Sequence, residues 1–446
     1  MKITLKKHIE ISELEGWEDD AIGYLTIFDN PKYFEAIKQK RSVRLIDPKI
    51  YLLAYDEDDN TIVPVGFLQA LLKEFPDYCE VVDQRNTHPV NVPFSGTLRP
   101  YQETFITDAI KACGGVLVAP TGAGKTVSAI ALASRLKQRC LILVKSGDLA
   151  TQWVDAIKQF TGLDCGLIGG GKNTEGLQFT VGLVQSLVKR DLSALDYGLV
   201  IADECHNAPA NQFYTVINGL DAKYKYGLSA TPQRRDSLEF MITAALGEIV
   251  SEIKQSDLDG KVLPVRIETI NHDFEGYPES WTQFINILID DDKRNEIIIN
   301  LAKQQTRPTI ILCSQVRHCE ILTTLAQQAG LQPLIIHGGL PAKLRSERMT
   351  QAHNARLVIG TSQLLSEGID IPSLEVLIFA SPMSAVVVKQ GDPAATKLIQ
   401  SIGRCRRPYR GKVFAKVYDI IDRCGFGVSA YRKRAQIYNL QGWSIF

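Results

Sequence analysis

From about residue 115 onward, short, mainly apolar runs rich in β-branched residues alternate with longer helical stretches. The runs cover residues 116–119, 140–144, 179–184, 199–202 and 224–228. Strands without polar alternation are strands buried on both faces, and the helices between them supply the crossovers that parallel pairing requires. A second series occupies residues 309–312, 334–336, 357–359, 376–379 and 413–421. The chain is therefore expected to be α/β, with two successive parallel-sheet domains. The polar stretch SDLDGK, residues 256–261, marks the join. Residues 1–92 read differently. Segments 51–55 and 61–65 flank the turn DEDDN as a hairpin, and 65–75 has the pattern of an amphipathic helix. The expected division is a small α+β domain over 1–92, then parallel-sheet domains over 93–256 and 257–446.

The carboxyl ends of the first-series runs carry the chemistry. The segment APTGAGKT, residues 119–126, follows a predicted strand and opens a predicted helix. Pro120, Thr121, Gly122, Ala123 and Gly124 form a loop whose backbone amides can close around phosphate oxygens at a helix N-terminus. Lys125 can reach the outer phosphates, and the Thr126 hydroxyl is placed to hold magnesium. Ala119 stands where the strict pattern has Gly, so this segment alone is an imperfect match. The segment DECH, residues 203–206, ends the 199–202 strand, where a parallel sheet presents ligand-binding groups. Phosphoryl transfer to water needs a metal clamp and a positioned water. Asp203 can organise the magnesium, and Glu204 can polarise the attacking water. An acidic loop after a strand is common; its pairing with the lysine loop makes a nucleotide site the stronger reading.

Taken in order, these segments resemble the superfamily 2 helicases over most of the stretch from Leu98 to Arg407. LRPYQ, residues 98–102, is similar to the family's adenine-reading segment, which implies base contacts by Gln102 with Arg99 beside it. Ser229 and Thr231 in GLSATP match the segment that couples the two sites, and the resemblance gives His206 and Gln400 coupling roles as well. EGIDIP, residues 367–372, implies that Gly368 and Asp370 border the nucleotide. QSIGRCRR, residues 400–407, places Arg404 and Arg407 at arginine-finger positions, which in this family meet the γ-phosphate. The resemblance implies two tandem RecA-like domains, with ATP and Mg2+ as cofactors.

Nucleic-acid contacts in the family come from strand-end loops. The matching positions are Lys145, Ser146, Gln185, Ser186, Ser314, Gln315, Gly338, Gly339 and Thr361. Hydroxyls, amides and backbone N–H groups suit phosphates and position a strand without reading its sequence. Helix capping is the bland alternative for Ser146 and Ser186. Trp153 reads as a packing residue. Within the superfamily, DECH with GLSATP and EGIDIP is closer to the DNA-repair and restriction-translocase branch than to DEAD-box RNA helicases. The chain resembles in particular the compact phage branch-migration helicases of the UvsW type. The segment 386–396 is longer than in that group.

Charge leaves the partner open: Lys plus Arg number 50, as do Asp plus Glu, so only the distribution is informative. Residues 393–418 hold no Asp or Glu but include Lys397, Arg404, Arg406, Arg407, Arg410, Lys412 and Lys416. A second basic stretch comprises Lys32, Lys38, Lys40, Arg41, Arg44 and Lys49; it is either a DNA grip or a solvated face. Nine cysteines without regular spacing argue for free thiols. No apolar run reaches membrane-spanning length, and a cytoplasmic protein is expected. The expected activity is an ATP-dependent DNA helicase or translocase acting on single-stranded, forked or four-way DNA, working as a monomer and possibly beside replication or recombination proteins. The alternatives are an RNA helicase and a scaffold with a silent ATPase.

Overall fold

The computed structural model describes residues 1–76, 79–120, 122–205, 210–230, 238–258, 260, 262–362, 371–383 and 393–446. The chain forms two compact units, Met1–Lys254 and Gln255–Phe446. Each is built around a parallel sheet, as the two series of apolar runs predict.

In the first unit an eight-stranded sheet runs in the order Lys172–Thr174, Gly166–Gly169, Phe179–Leu183, Cys140–Val144, Leu199–Ala202, Tyr224–Ser229, Gly114–Val118, Ile249–Glu252 among the described residues. All neighbours pair in parallel except the short edge strand Lys172–Thr174. Every residue of Cys140–Val144, Phe179–Leu183 and Leu199–Ala202 is buried, which explains their uninterrupted apolar character. One face packs under Phe213, Val216, Ile217 and Leu246, which lie on the helices Ala210–Gly219 and Glu239–Leu246.

Residues 1–83 carry their own five-stranded sheet, ordered Ala54–Tyr55, Thr61–Val63, Ile9–Ser12, Lys2–Leu5, Glu80–Asp83. The hairpin read from the sequence is present in Ala54↔Ile62 and Tyr55↔Thr61, although its first strand is only two residues long. This small sheet does not bury its apolar face alone. Ile3, Ile9, Ile11, Val63 and Leu71 share one cluster with Leu238, Met241 and Ala244 of the larger sheet's flanking segment. Gly66 marks how near the two backbones come: a Cβ there would lie 1.9 Å from the Thr243 carbonyl oxygen. The stretch after Asp83 is also tied down. The His88 amide donates to Gln138 Oε1 (2.7 Å), the Arg139 amide to the His88 carbonyl (2.8 Å), and the Ser95 amide to the Phe160 carbonyl (2.8 Å).

The second unit holds seven strands among the described residues, all parallel: Pro333–Ile336, Leu357–Thr361, Thr309–Cys313, Val376–Phe379, Ala415–Asp422, Val265–His272, Ser444–Ile445. Buried apolar clusters cover both faces of this sheet. Its polar framework is as fixed as its apolar one. The Arg434 guanidinium makes two 2.8 Å hydrogen bonds to the Asp419 carboxylate, and Tyr438 Oη donates to the same group at 2.7 Å, all fully buried. Such a pair is held by its geometry and its satisfied partners rather than by charge alone. Among the described residues no helix is long and apolar enough to cross a membrane.

Candidate nucleotide and nucleic-acid sites

Three adjacent strands bring the nucleotide-binding segments together. Gly114–Val118 leads into the lysine loop, Tyr224–Ser229 ends at Ser229, and Leu199–Ala202 leads into Asp203 and Glu204. The three carboxyl ends lie side by side, where a parallel sheet offers its crevice. Hydrogen bonds fix the strand ends: the Ala119 amide donates to the Ser229 carbonyl (2.9 Å), and the Asp203 amide donates to the Leu143 carbonyl (2.9 Å) of the neighbouring strand Cys140–Val144.

The loop itself is shaped by glycine. Gly122 and Gly124 have φ of 90° and 82°, in the left-handed region, and helix Lys125–Leu136 starts directly after Gly124. Gln102, almost fully buried, clamps this turn. Its Nε2 donates to the Ala123 carbonyl (2.9 Å) and its Oε1 accepts from the Arg99 amide (2.8 Å). A Cβ on Gly124 would lie 2.4 Å from Gln102 Nε2, so the residue expected to read the base also requires the glycine.

Lys125 Nζ donates to the Ala119 carbonyl (3.1 Å) and stands 3.6 Å from Glu204 Oε1. The lysine assigned to phosphate and the carboxylate assigned to water thus meet at one point. Glu204 adopts φ 48°, uncommon for a residue with a side chain, so the strand turns sharply just after Asp203. Asp203 Oδ2 accepts a 2.8 Å hydrogen bond from the indole N–H of Trp153. Burial pushes the Asp203 carboxyl up to about 6, with the Glu204 charge acting in the same direction; the indole and Lys125 oppose the shift. The Thr126 hydroxyl and the Asp203 carboxylate, the two groups expected to hold a metal, offer only oxygen donors, the chemistry that a hard divalent cation such as Mg2+ takes. Thr121, His206, Thr231, Gly368 and Asp370 lie outside the described residues, as does most of the long segment 386–396.

Of the loop residues matched to nucleic-acid contacts, Ser146 caps helix Gly147–Thr161, accepting from the Leu149 amide at 3.4 Å, and Lys145 immediately precedes it. Gln185 is exposed and Ser186 half-buried on the short helix Val184–Leu187. In the second unit the strands ending at Ile336, Thr361 and Cys313 are neighbours, which lines up Gly338, Gly339, Thr361, Ser314 and Gln315 along one edge. Both glycines are exposed. The Ser314 amide and hydroxyl both contact Ser381 Oγ, at 3.0 and 3.1 Å, so part of the expected phosphate-binding capacity is spent on holding the loop. Gln315 Nε2 donates to Asn286 Oδ1 (3.2 Å).

Arg404 is half-buried in the last turn of helix Pro393–Cys405, which also carries the buried Gln400. Arg407 follows the helix, and burial lowers its pKa. Two neighbours in the basic run are neither solvated nor available to a polyanion. Arg406 Nε donates to the Leu263 carbonyl (3.0 Å), and Lys412 Nζ donates to the Leu374 (2.5 Å) and Arg407 (3.0 Å) carbonyls. Both are structural cations.

Two family descriptions match: "Type III restriction enzyme, res subunit" over residues 95–234 and "Helicase conserved C-terminal domain" over residues 292–409. Among relatives, the ATP-dependent DNA helicase uvsW of Enterobacteria phage T4 is 25% identical over 73% of this chain and 68% of its own length. A protein of Acanthamoeba polyphaga mimivirus named as an ATP-dependent RNA helicase is 28% identical over 75% of this chain and 66% of its own length. A Sulfurisphaera tokodaii protein named as a DNA 3'-5' translocase is 31% identical over 37% of this chain and 38% of its own length. The chain belongs to the superfamily 2 helicases.

Two solved structures agree on the fold. An HsdR-subunit fragment of a type I restriction enzyme from Vibrio vulnificus superposes with TM-score 0.58 at 19% identity, covering 79% of this helicase and 68% of the fragment. The S. cerevisiae Dbp5 structure with RNA and ADP BeF3 gives 0.57 at 16% identity, covering 79% of this helicase and 90% of that chain. As a member of the family, this helicase hydrolyses ATP. Its geometry adds residues that pattern reading did not assign to the site. Trp153 touches the Asp203 carboxylate, and Ser381 anchors Ser314. Each meets its partner across a long stretch of chain, so no local pattern marks the contact.

Proposed function

We propose that this helicase moves on DNA, unwinding or branch-migrating forked and four-way junctions in replication, recombination or repair. The observation that carries the reading is the alignment with a phage ATP-dependent DNA helicase over 73% of the chain. The exposed Lys38, Lys40, Arg41, Arg44 and Lys49 of the N-terminal portion support it, because clustered cations release condensed counterions when they meet phosphates. In this reading Thr126 and Asp203 would hold Mg2+, which would supply positive charge against the phosphates. Lys125 grips the outer phosphates, Glu204 orients and polarises the attacking water, and Arg404 and Arg407 meet the charge that develops on the transferred group. Gln102 and Arg99 read the base. The strand-end residues Lys145, Ser146, Gln185, Ser186, Ser314, Gln315, Gly338, Gly339 and Thr361 hold the sugar–phosphate backbone. The protein works as a monomer in the cytoplasm.

Steady-state ATPase with single-stranded, duplex, forked and four-way DNA and with RNA tests this. Branched DNA is expected to stimulate most. Lys125→Ala is expected to abolish turnover, Glu204→Gln to lower it about 10²–10⁴-fold, and Arg404→Ala about 10³-fold. Turnover that survives Lys125→Ala refutes the phosphate site. Stimulation by RNA alone moves the protein to the second reading, an RNA helicase, which the mimivirus relative's name favours.

A further inference from the structure

The indole of Trp153 is 2% exposed, and its only polar atom is committed to one acceptor, Asp203 Oδ2 at 2.8 Å. Packing alone does not call for that atom, since a phenylalanine fills an apolar site without a donor to satisfy. The acceptor belongs to the carboxylate assigned to magnesium. A carboxylate that takes one fixed hydrogen bond keeps lone pairs for other partners while its rotamer is held, as outer partners do for metal ligands generally.

Trp153 sits on helix Gly147–Thr161, which begins at the capping Ser146 beside Lys145. Leu149, Ala150, Trp153 and Ile157 form its buried face. That face lies on strands Cys140–Val144 and Phe179–Leu183, with helix Lys125–Leu136 alongside. One rigid element therefore has its N-terminus at the residues matched to nucleic acid and its side chain on the carboxylate matched to metal. We propose that Trp153 is a positioning residue: it fixes Asp203 for the metal–nucleotide complex and links engagement of nucleic acid at Lys145 and Ser146 to metal affinity. This rests on the functional reading above.

The test is binding without turnover, on the full chain. ADP affinity is measured calorimetrically with EDTA, with Mg2+, and with Mg2+ plus forked DNA. Trp153→Phe is expected to leave metal-free ADP binding unchanged and to reduce the gain from Mg2+ about tenfold, as loss of one charge-assisted hydrogen bond would. It is also expected to remove any dependence of that gain on DNA. In an Asp203→Asn background Trp153→Phe should have no further effect. A Mg2+ gain equal to wild type refutes the proposal, as does a loss of equal size in the Asp203→Asn background, which identifies a packing role. If Trp153→Phe does not fold, a chain with Trp17, Trp281 and Trp443 replaced by Phe reports instead. Mn2+–ADP should then quench Trp153 emission, and less so with Asp203→Asn; absence of quenching overturns the proposal. Turnover by Lys125→Ala would sink the functional reading itself, whereas a dead Lys125→Ala with a silent Trp153→Phe sinks only this inference.

Discussion

Single side chains in this helicase are constrained in ways that predict how each should respond to change. Gly124 has φ 82° and lies against the Gln102 amide, so Gly124→Ala must disturb either the turn or the glutamine clamp. Calorimetry should show ADP binding weakened at least tenfold with little change in melting temperature. Lys225 poses a different constraint. It is buried in the strand Tyr224–Ser229, where its ammonium donates to the Ile217 carbonyl (3.0 Å) and reaches the Lys7 carbonyl (3.4 Å). Burial lowers its pKa from 10.5 to about 7. Between those values the unfolded chain binds more protons than the folded one, so stability rises with pH across the window and falls as pH drops toward 7. Unfolding midpoints of wild type should increase from pH 7 to 9, and Lys225→Met should flatten that slope.

At the scale of elements, the decisive contact joins the short turn Val65–Phe67 to helix Glu239–Leu246. Gly66→Ala would drive a methyl into the Thr243 and Ala244 carbonyls, at 1.9 and 2.5 Å. Neither group is a flexible side-chain end, so the two elements must separate. The cost should reach about 2 kcal/mol or more, read by denaturant unfolding. The strands Gly114–Val118 and Leu199–Ala202, which lead into the nucleotide loops, are among those the sequence reveals most plainly, because burial on both faces leaves a run without charged residues. Strands such as Val265–His272 and Ile9–Ser12 alternate buried and partly exposed positions, and the charged residues on the open side hide them. The lysine loop and the Asp203–Glu204 segment were legible because each follows a strand end, whereas residues 98–102 open a helix and residues 400–407 close one. The Trp153–Asp203 bond was not legible, since fifty residues separate the partners and only the folded sheet brings them together. The basic run near the C-terminus shows the limit of charge counting: a count along the chain cannot tell the buried Arg406 and Lys412 from solvated cations.

At the scale of the whole molecule, each unit has its own buried clusters. Calorimetry should therefore resolve two unfolding transitions. Lys225→Met should alter the pH response of one of them alone, which would assign that transition to Met1–Lys254; a single transition shifted as a whole would show that the units unfold together. The shared cluster of Leu238, Met241 and Ala244 with the N-terminal sheet also bears on how the protein can be dissected. A truncation that starts where the helicase motifs start, near Leu98, strips the cover from that helix and leaves a wet apolar stripe. Such a fragment should bind itself or precipitate rather than serve as a minimal motor. The N-terminal sheet is thus a wall of the domain it precedes, and a fragment meant to stand alone has to keep that wall.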